Sequence, residues 1–212
     1  MSARADVLVQ VPQLAAAIQR EGIAAQGDSR FILFDVRWRL GESPGEGAQR
    51  YAAGHLPGAR FLDLERVLTR HTGDPRDGRH PLPDPAALVA ALGELGVGSR
   101  SQIVVYDEAG SFAAARAWWV LRWAGLRVRV LDGGVDAWTA AGLPLTTEPA
   151  APIRPVDPAP AGSSAATLPT VDIDGAAESA RDGLLVDVRA AERFRGEVEP
   201  LDPVAGHIPG AV

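Results

Sequence analysis

Apolar positions along this chain fall into short blocks, divided by turn-forming residues, and the blocks alternate between two periods. Phe31 to Val36 (FILFDV), Ile103 to Tyr106 (IVVY) and Val128 to Leu131 (VRVL) are compact apolar runs. They predict strands buried on both faces, as in a parallel sheet. Between the runs the period lengthens. Leu14, Ala17 and Ile18 predict a short helix over Val11 to Arg20. Asp84 as cap, Pro85 in the first turn and Gly96 beyond the end delimit a helix through Ala86 to Leu95. Two more are predicted over Phe112 to Trp123, closed by Gly125, and Val135 to Ala141, stopped by Gly142 and Pro144. Residues 38 to 53 read as a Gly/Glu/Pro-rich excursion ending in a helical turn around Tyr51, and Arg60 to Leu64 as a short strand or bend. Strands alternating with helices predict right-handed crossovers and an α/β fold, a parallel sheet wrapped by helices.

Two short motifs occur twice. Asp35-Val36-Arg37 is followed, 19 residues after Asp35, by Gly-His-Leu-Pro-Gly-Ala (Gly54 to Ala59). The pair returns as Asp187-Val188-Arg189 and Gly-His-Ile-Pro-Gly-Ala (Gly206 to Ala211), both displaced by 152 positions. Two motifs shifted in one register predict a duplicated domain. The expected division is a complete domain over 1–147, a Pro/Ala-rich linker over 148–169 that is stiff and has no core, and the N-terminal part of a second domain over 170–212. That last part is expected to hold a helix from Asp172 to Arg181, a strand from Leu184 to Val188, and an Arg- and acid-rich loop from Arg189 to Gly206. Val212 directly follows the second motif, so the expectation is a second domain cut short. Its exposed strand edges then need the first domain or another chain to cover them.

Composition narrows the function. An apolar content of 46% with 23% charged residues is that of a soluble chain with a sizeable core. No apolar stretch approaches the roughly 18 residues that span a bilayer. The start, MSARADVLVQ, lacks a signal-type apolar region, so a cytoplasmic location and no membrane partner are expected. The net charge of −6 is spread along the chain, which argues against a nucleic-acid partner. All 21 cationic residues are arginine, excluding a Schiff-base lysine or a P-loop lysine. Cysteine is absent, so this chain supplies no disulfide, thiolate metal site or thiol nucleophile. His55, His71, His80 and His207 stand in no metal-ligand spacing; no metal and no cofactor are expected.

Function in an open α/β sheet gathers at the carboxyl ends of its strands. Asp35 with Arg37 and Asp187 with Arg189 stand at such ends, as functional charges or as simple ion pairs capping the following turn. His55 and His207 sit in turns whose glycines and proline dictate the backbone, where an imidazole either serves a ligand or holds backbone carbonyls. Asp107 to Ser111 opens a helix and would make an anion cradle, but Asp107 and Glu108 place negative charge at its mouth. The loop reads as a closed, structural version of such a site. Trp118, Trp119, Trp123 and Trp138 read as core packing. Arg189, Arg193 and Arg195, around Phe194, can grip a small dianion bidentately, or they form a solvated loop balanced by Glu192, Glu197 and Glu199.

These residues resemble the two-domain rhodaneses, the thiosulfate and 3-mercaptopyruvate sulfurtransferases. The resemblance rests on FDVR with AGHLPGARFLDLE, IVVYD, AARAWWVLRWAGL and VRVLDGGVDAW, then on LLVDVRAAERFRGEVEP with AGHIPGAV, and covers nearly the whole chain. It implies two five-stranded parallel domains, the first inactive and the second carrying a nucleophilic cysteine on a loop after the strand equivalent to IVVY. Asp107 occupies that place in the first domain. The displacement of 152 puts the cysteine near position 259, so no catalytic residue lies within the 212. The implied reaction moves sulfane sulfur from a small anionic donor to a thiophilic acceptor such as cyanide, through a cysteine persulfide. Arg193 matches the arginine that binds the anionic substrate, and His55 and Glu46 match first-domain residues near the domain cleft. Glu199-Pro200 is followed by Leu201-Asp202 where mercaptopyruvate enzymes carry a second arginine, which favours thiosulfate as donor. The alternatives are a non-catalytic rhodanese-type binding or regulatory module and a relative of the cysteine phosphatases that share this fold.

Overall fold

The computed structural model describes residues 3–21, 31–74, 77–98, 100–108, 110, 112–152 and 168–212. The chain divides into two compact units, Met1–Leu168 and Pro169–Val212, each described by itself.

The first unit is a five-stranded, wholly parallel sheet. Its strands are β1 (Leu8–Val9), β2 (Phe31–Asp35), β3 (Arg60–Phe61), β4 (Gln102–Tyr106) and β5 (Val128–Leu131), in the spatial order β1-β5-β4-β2-β3. The helices are α1 (Ala3–Val7), α2 (Val11–Glu21), α3 (Glu46–Ala53), α4 (Leu64–Val67), α5 (Pro85–Glu94), α6 (Phe112–Trp123) and α7 (Gly134–Ala140). Alternation along the central strands divides the core in two. Ile32, Phe34, Ile103 and Val105 face the layer built by Leu88, Leu92, Ala117 and Leu121 of α5 and α6. Leu33, Val104 and Tyr106 face Leu14 of α2 and Val135 and Trp138 of α7. Both faces are covered, which is why β2 and β4 read as uninterrupted apolar runs. The cap expected for α5 is present, with Asp84 Oδ1 accepting from the Ala87 amide at 2.9 Å.

The predicted strands and longer helices stand close to the expected bounds. β1, α1 and α4 were not expected, and the helical turn around Tyr51 is the full eight-residue α3. The expected linker lies largely outside the described residues, as do Ala109 and Ser111 of the β4–α6 loop.

The second unit contains α8 (Ile173–Asp182), capped by Asp172 Oδ1 on the Gly175 amide at 2.9 Å, and the short α9 (Ala191–Phe194) inside the expected loop. The strand expected over Leu184 to Val188 is corrected to an extended segment. It meets a single residue, with Val212 donating to the Leu185 carbonyl and accepting from the Asp187 amide, both at 2.9 Å. One bridging residue makes no ladder. The bridge sets Val186 against Val212, 152 positions on from the pairing of Phe34 with Arg60 in the first unit. Exposure differs sharply, however: Leu184, Val186 and Val188 are 73%, 56% and 90% exposed, whereas Ile32, Phe34 and Val36 are 2% or less.

Candidate functional site

The connection from β2 to β3 leaves on one side of β2, and the connection from β3 to β4 returns on the other. The carboxyl ends of β2 and β4 therefore border the crevice where open α/β sheets bind ligands. Asp35 and Tyr106, register partners, end these strands and are fully buried. The Asp35 carboxylate is saturated from both sides. Arg37 donates from Nε to both oxygens at 3.1 and 3.0 Å and from Nη2 to Oδ2 at 2.7 Å, and the Tyr106 hydroxyl donates to Oδ2 at 2.9 Å. Burial works against the Arg37 charge, but the hydrogen bonds and charge of Asp35 outweigh it and raise its pKa. Burial, reinforced by Asp35, pushes the Tyr106 phenol strongly upward. Asp35-x-Arg37 is an ion pair built into the wall of the crevice.

The pair also fixes the turn that follows α3. Arg37 Nη2 donates to the Gly54 carbonyl at 2.6 Å and to Arg50 O at 3.2 Å, while the Leu56 amide donates to the Tyr106 hydroxyl at 3.1 Å. Close approach here requires Gly47, since a methyl group at that position would collide with the Arg37 carbonyl. His55 is buried. Its Nδ1 lies 2.8 Å from the Tyr51 carbonyl and its Nε2 3.1 Å from that of Glu148, and the ring stacks on Tyr51 at a centroid distance of 3.9 Å. Both nitrogens face backbone carbonyls, and the one that carries the proton donates. Glu46 stands at the other end of α3, a helix about 12 Å long at 1.5 Å rise per residue, where its Oε1 accepts from the Ser43 amide at 3.1 Å. Glu46 and His55 are thus held apart by the helix between them.

The loop after β4 is closed. Asp107 Oδ2 accepts from the Ala114 amide at 2.9 Å, occupying the α6 N-terminus with a carboxylate of the chain itself. Its carbonyl accepts from the Val135 amide at 2.9 Å, and Gly134, at φ +58°, leaves no room there for a Cβ. Glu108 does more than place negative charge at the mouth. Arg39 donates to its Oε2 from Nε at 2.8 Å, with Nη2 at 2.6 Å, and Arg50 Nε stands 3.6 Å from Oε1. Arg39 and Arg50 were invisible to sequence spacing, because their partner lies 69 and 58 residues away.

In the second unit Asp187 and Arg189 repeat the geometry of Asp35 and Arg37. Arg189 Nη2 donates to Asp187 Oδ2 at 2.6 Å and to the Gly206 carbonyl at 2.5 Å. His207 points Nδ1 at the Phe194 carbonyl, 2.7 Å away, and stacks on the Phe194 ring at 3.8 Å. Arg193 sits in a carboxylate frame: Nη2 donates to Glu199 Oε1 at 2.7 Å and to Asp202 Oδ2 at 2.9 Å. Glu199 Oε1 in turn accepts the Leu201 and Asp202 amides at 3.1 and 3.0 Å. The Arg193 hydrogen bonds and these amides hold Glu199 at a pKa of about 2, and the Arg189 hydrogen bonds hold Asp187 at about 2. Arg195 pairs with Glu197 at 2.6 Å, outside this frame. Asp202, nine residues from Arg193, was not singled out from the sequence. Arg189, 3.6 Å from Glu199, lines an open groove of about 520 Å³ together with Val186, Val188, Val204, His207 and Ile208.

Among the described residues no three His, Asp or Glu side chains are grouped to hold a metal, and no helix is long and apolar enough to cross a membrane.

Comparison with known proteins gives the arrangement its context. The family model described as a rhodanese-like domain matches residues 13–141. A Pseudomonas aeruginosa protein provisionally assigned as a 3-mercaptopyruvate sulfurtransferase is 47% identical over 183 residues, covering 85% of this chain and 63% of that protein. A Mycobacterium tuberculosis protein provisionally assigned as thiosulfate sulfurtransferase SseB is 45% identical over 214 residues, covering 100% of this chain and 71% of the relative. The chain thus spans roughly two thirds of the length of the relatives it matches. The crystal structure of SseA from Escherichia coli, described as a 3-mercaptopyruvate sulfotransferase of rhodanese fold, superposes with a TM-score of 0.73 at 32% identity, covering 96% of this chain and 72% of that one. On the family match and these identities, the chain belongs to the rhodanese family.

Proposed function

We propose that this chain is part of a tandem-domain sulfurtransferase that moves sulfane sulfur from a small anionic donor, thiosulfate or 3-mercaptopyruvate, to a thiophile such as cyanide. The nucleophile is a cysteine supplied from outside residues 1–212, which contain none. Its thiolate attacks the outer sulfur of thiosulfate, the S–S bond breaks, and sulfite leaves with the bonding pair. The resulting persulfide gives its outer sulfur to cyanide as thiocyanate and returns the thiolate. With 3-mercaptopyruvate the thiolate attacks the thiol sulfur, the C–S bond breaks, and pyruvate leaves as its enolate with the bonding pair and takes up the thiol proton.

The observation that carries this reading is the Arg193 frame. What supports it is that Glu199 and Asp202 hold the Arg193 guanidinium in one orientation, and a preordered guanidinium suits recognition of a small anion. Among Arg193, His55 and Glu46, Arg193 is the group we assign to charge recognition. His55, facing two backbone carbonyls, fixes its turn, and Glu46 fixes the start of α3. The first unit, with Asp107 at the loop, serves as the non-catalytic partner. The absence of cysteine from the chain favours one other reading, a rhodanese-type module that binds or regulates without transfer.

Kinetics separate the two. The 212-residue chain is expected to give no thiosulfate:cyanide turnover above a blank. A form extended through a cysteine-bearing continuation is expected to turn over, and Arg193→Ala in that form to raise KM for the donor at least tenfold. An extended form that is inert in spite of its cysteine would favour the module.

A further inference from the structure

The crevice of the first unit holds an arrangement that the transfer reading does not use. Arg39 follows β2, Arg50 lies in α3 and Glu108 follows β4, so three separate segments converge above the carboxyl ends of the two central strands. Glu108 gives Arg39 a single oxygen, Oε2, which takes both Nε and Nη2. Its other oxygen faces Arg50 Nε at 3.6 Å, too far for a hydrogen bond. Arg50 Nε is enclosed and has no hydrogen-bond acceptor among the described residues. A buried guanidinium N–H left aimed at a carboxylate it cannot reach marks a cradle larger than its occupant. A planar carboxylate presents two oxygens; a tetrahedral oxoanion presents four and fills a wider cup.

We propose that Arg39 and Arg50 form an oxoanion site, of the sulfate class, that Glu108 plugs as a tethered stand-in for the ligand. Charge supports this. Arg37 is paired with Asp35 and Arg50 with Glu42 at 2.5 Å, so withdrawal of Glu108 leaves Arg39 without its ion-pair partner and with only the weaker fields of Glu42 and Glu46 beside it. Access supports it as well: Arg39 is largely exposed and Glu108 partly so, and the plug can swing out without disturbing the core. A tethered carboxylate competes at an effective concentration in the millimolar range or above. The intact chain therefore binds free anions weakly. The site lies wholly within the first unit and stands independently of sulfur transfer.

The test titrates inorganic sulfate into the full 212-residue chain by calorimetry at low ionic strength, against sodium chloride of matched ionic strength. Glu108→Gln is expected to bind sulfate at least tenfold more tightly than the unaltered chain. The double variant Arg39→Gln/Glu108→Gln is expected to lose that gain. Equal affinity in Glu108→Gln and the unaltered chain would overturn the proposal. So would a gain that persists in the double variant, because the anion would then sit elsewhere. Circular dichroism reports folding of each protein, with Glu108→Ala as a second single variant. If both single variants unfold, Glu108 is a structural ion-pair partner and the plug is refuted.

Discussion

Arg37 reaches across 17 residues to donate from Nη2 to the carbonyl of Gly54 at 2.6 Å while gripping Asp35 with the same guanidinium. One side chain thus neutralises a buried carboxylate and ties the glycine-histidine turn to the end of β2. Arg37→Ala leaves Asp35 buried with its counter-ion gone and a backbone carbonyl without its donor. Removing one partner of a buried pair costs about 3–5 kcal/mol. Denaturant unfolding of the variant is expected to show a loss of that size, and a loss under about 1 kcal/mol would mean that solvent already screens the pair. Arg189→Ala, whose pair is less enclosed, is expected to lose less.

The Tyr106 hydroxyl links the same network to Leu56, donating to Asp35 and accepting from the Leu56 amide. Tyr106→Phe keeps the ring volume and leaves a carboxylate oxygen short of a donor and an amide short of an acceptor. Unmet buried polar groups cost about 1–3 kcal/mol, to be read as a lower denaturation midpoint at unchanged slope. Removing a phenol without effect would show that water replaces it.

Glu199 provides a pH signature for the second unit. Its folded pKa, about 2, lies below the roughly 4.3 of an unperturbed glutamate. The stabilisation from its pairing with Arg193 is therefore complete above about pH 4.3 and is lost as pH falls towards 2. Carbon-detected NMR of the Glu199 carboxyl should titrate near 2, and in Arg193→Gln the midpoint should move up towards the ordinary range. A wild-type midpoint at the ordinary value would remove the ion pair from the description of the site.

Ile32 and Leu184 are 152 positions apart and meet opposite environments, 2% and 73% exposed. Truncation separates them: Ile32→Ala is expected to cost about 2–5 kcal/mol through its cavity, and Leu184→Ala to stay within about 0.5 kcal/mol. Comparable losses at the two positions would show that Leu184 is covered in solution.

Much of the first unit was legible because its long elements carry their own signal. FILFDV and IVVY had to be strands buried on both faces, and Asp84-Pro85 marked the start of α5. β1 and α4, of two and four residues, are too short for any period to develop. The apolar run Leu184 to Val188 reads as a strand by composition, but a strand is made by its neighbours, and only Val212 pairs with it here. That the loop after β4 carries negative charge at its mouth was legible from Asp107 and Glu108; the bond from the Ala114 amide to Asp107 was not. Glu108 in the grip of Arg39 and Arg50 was not, because ion pairs formed by folding leave no trace in local order.

The ring beneath each motif histidine comes from a different place in the chain. Tyr51, in α3, precedes His55 by four residues, whereas Phe194 precedes His207 by 13 across a loop. The imidazole is therefore positioned by a platform and a carbonyl, and the length of the intervening peptide is free to vary.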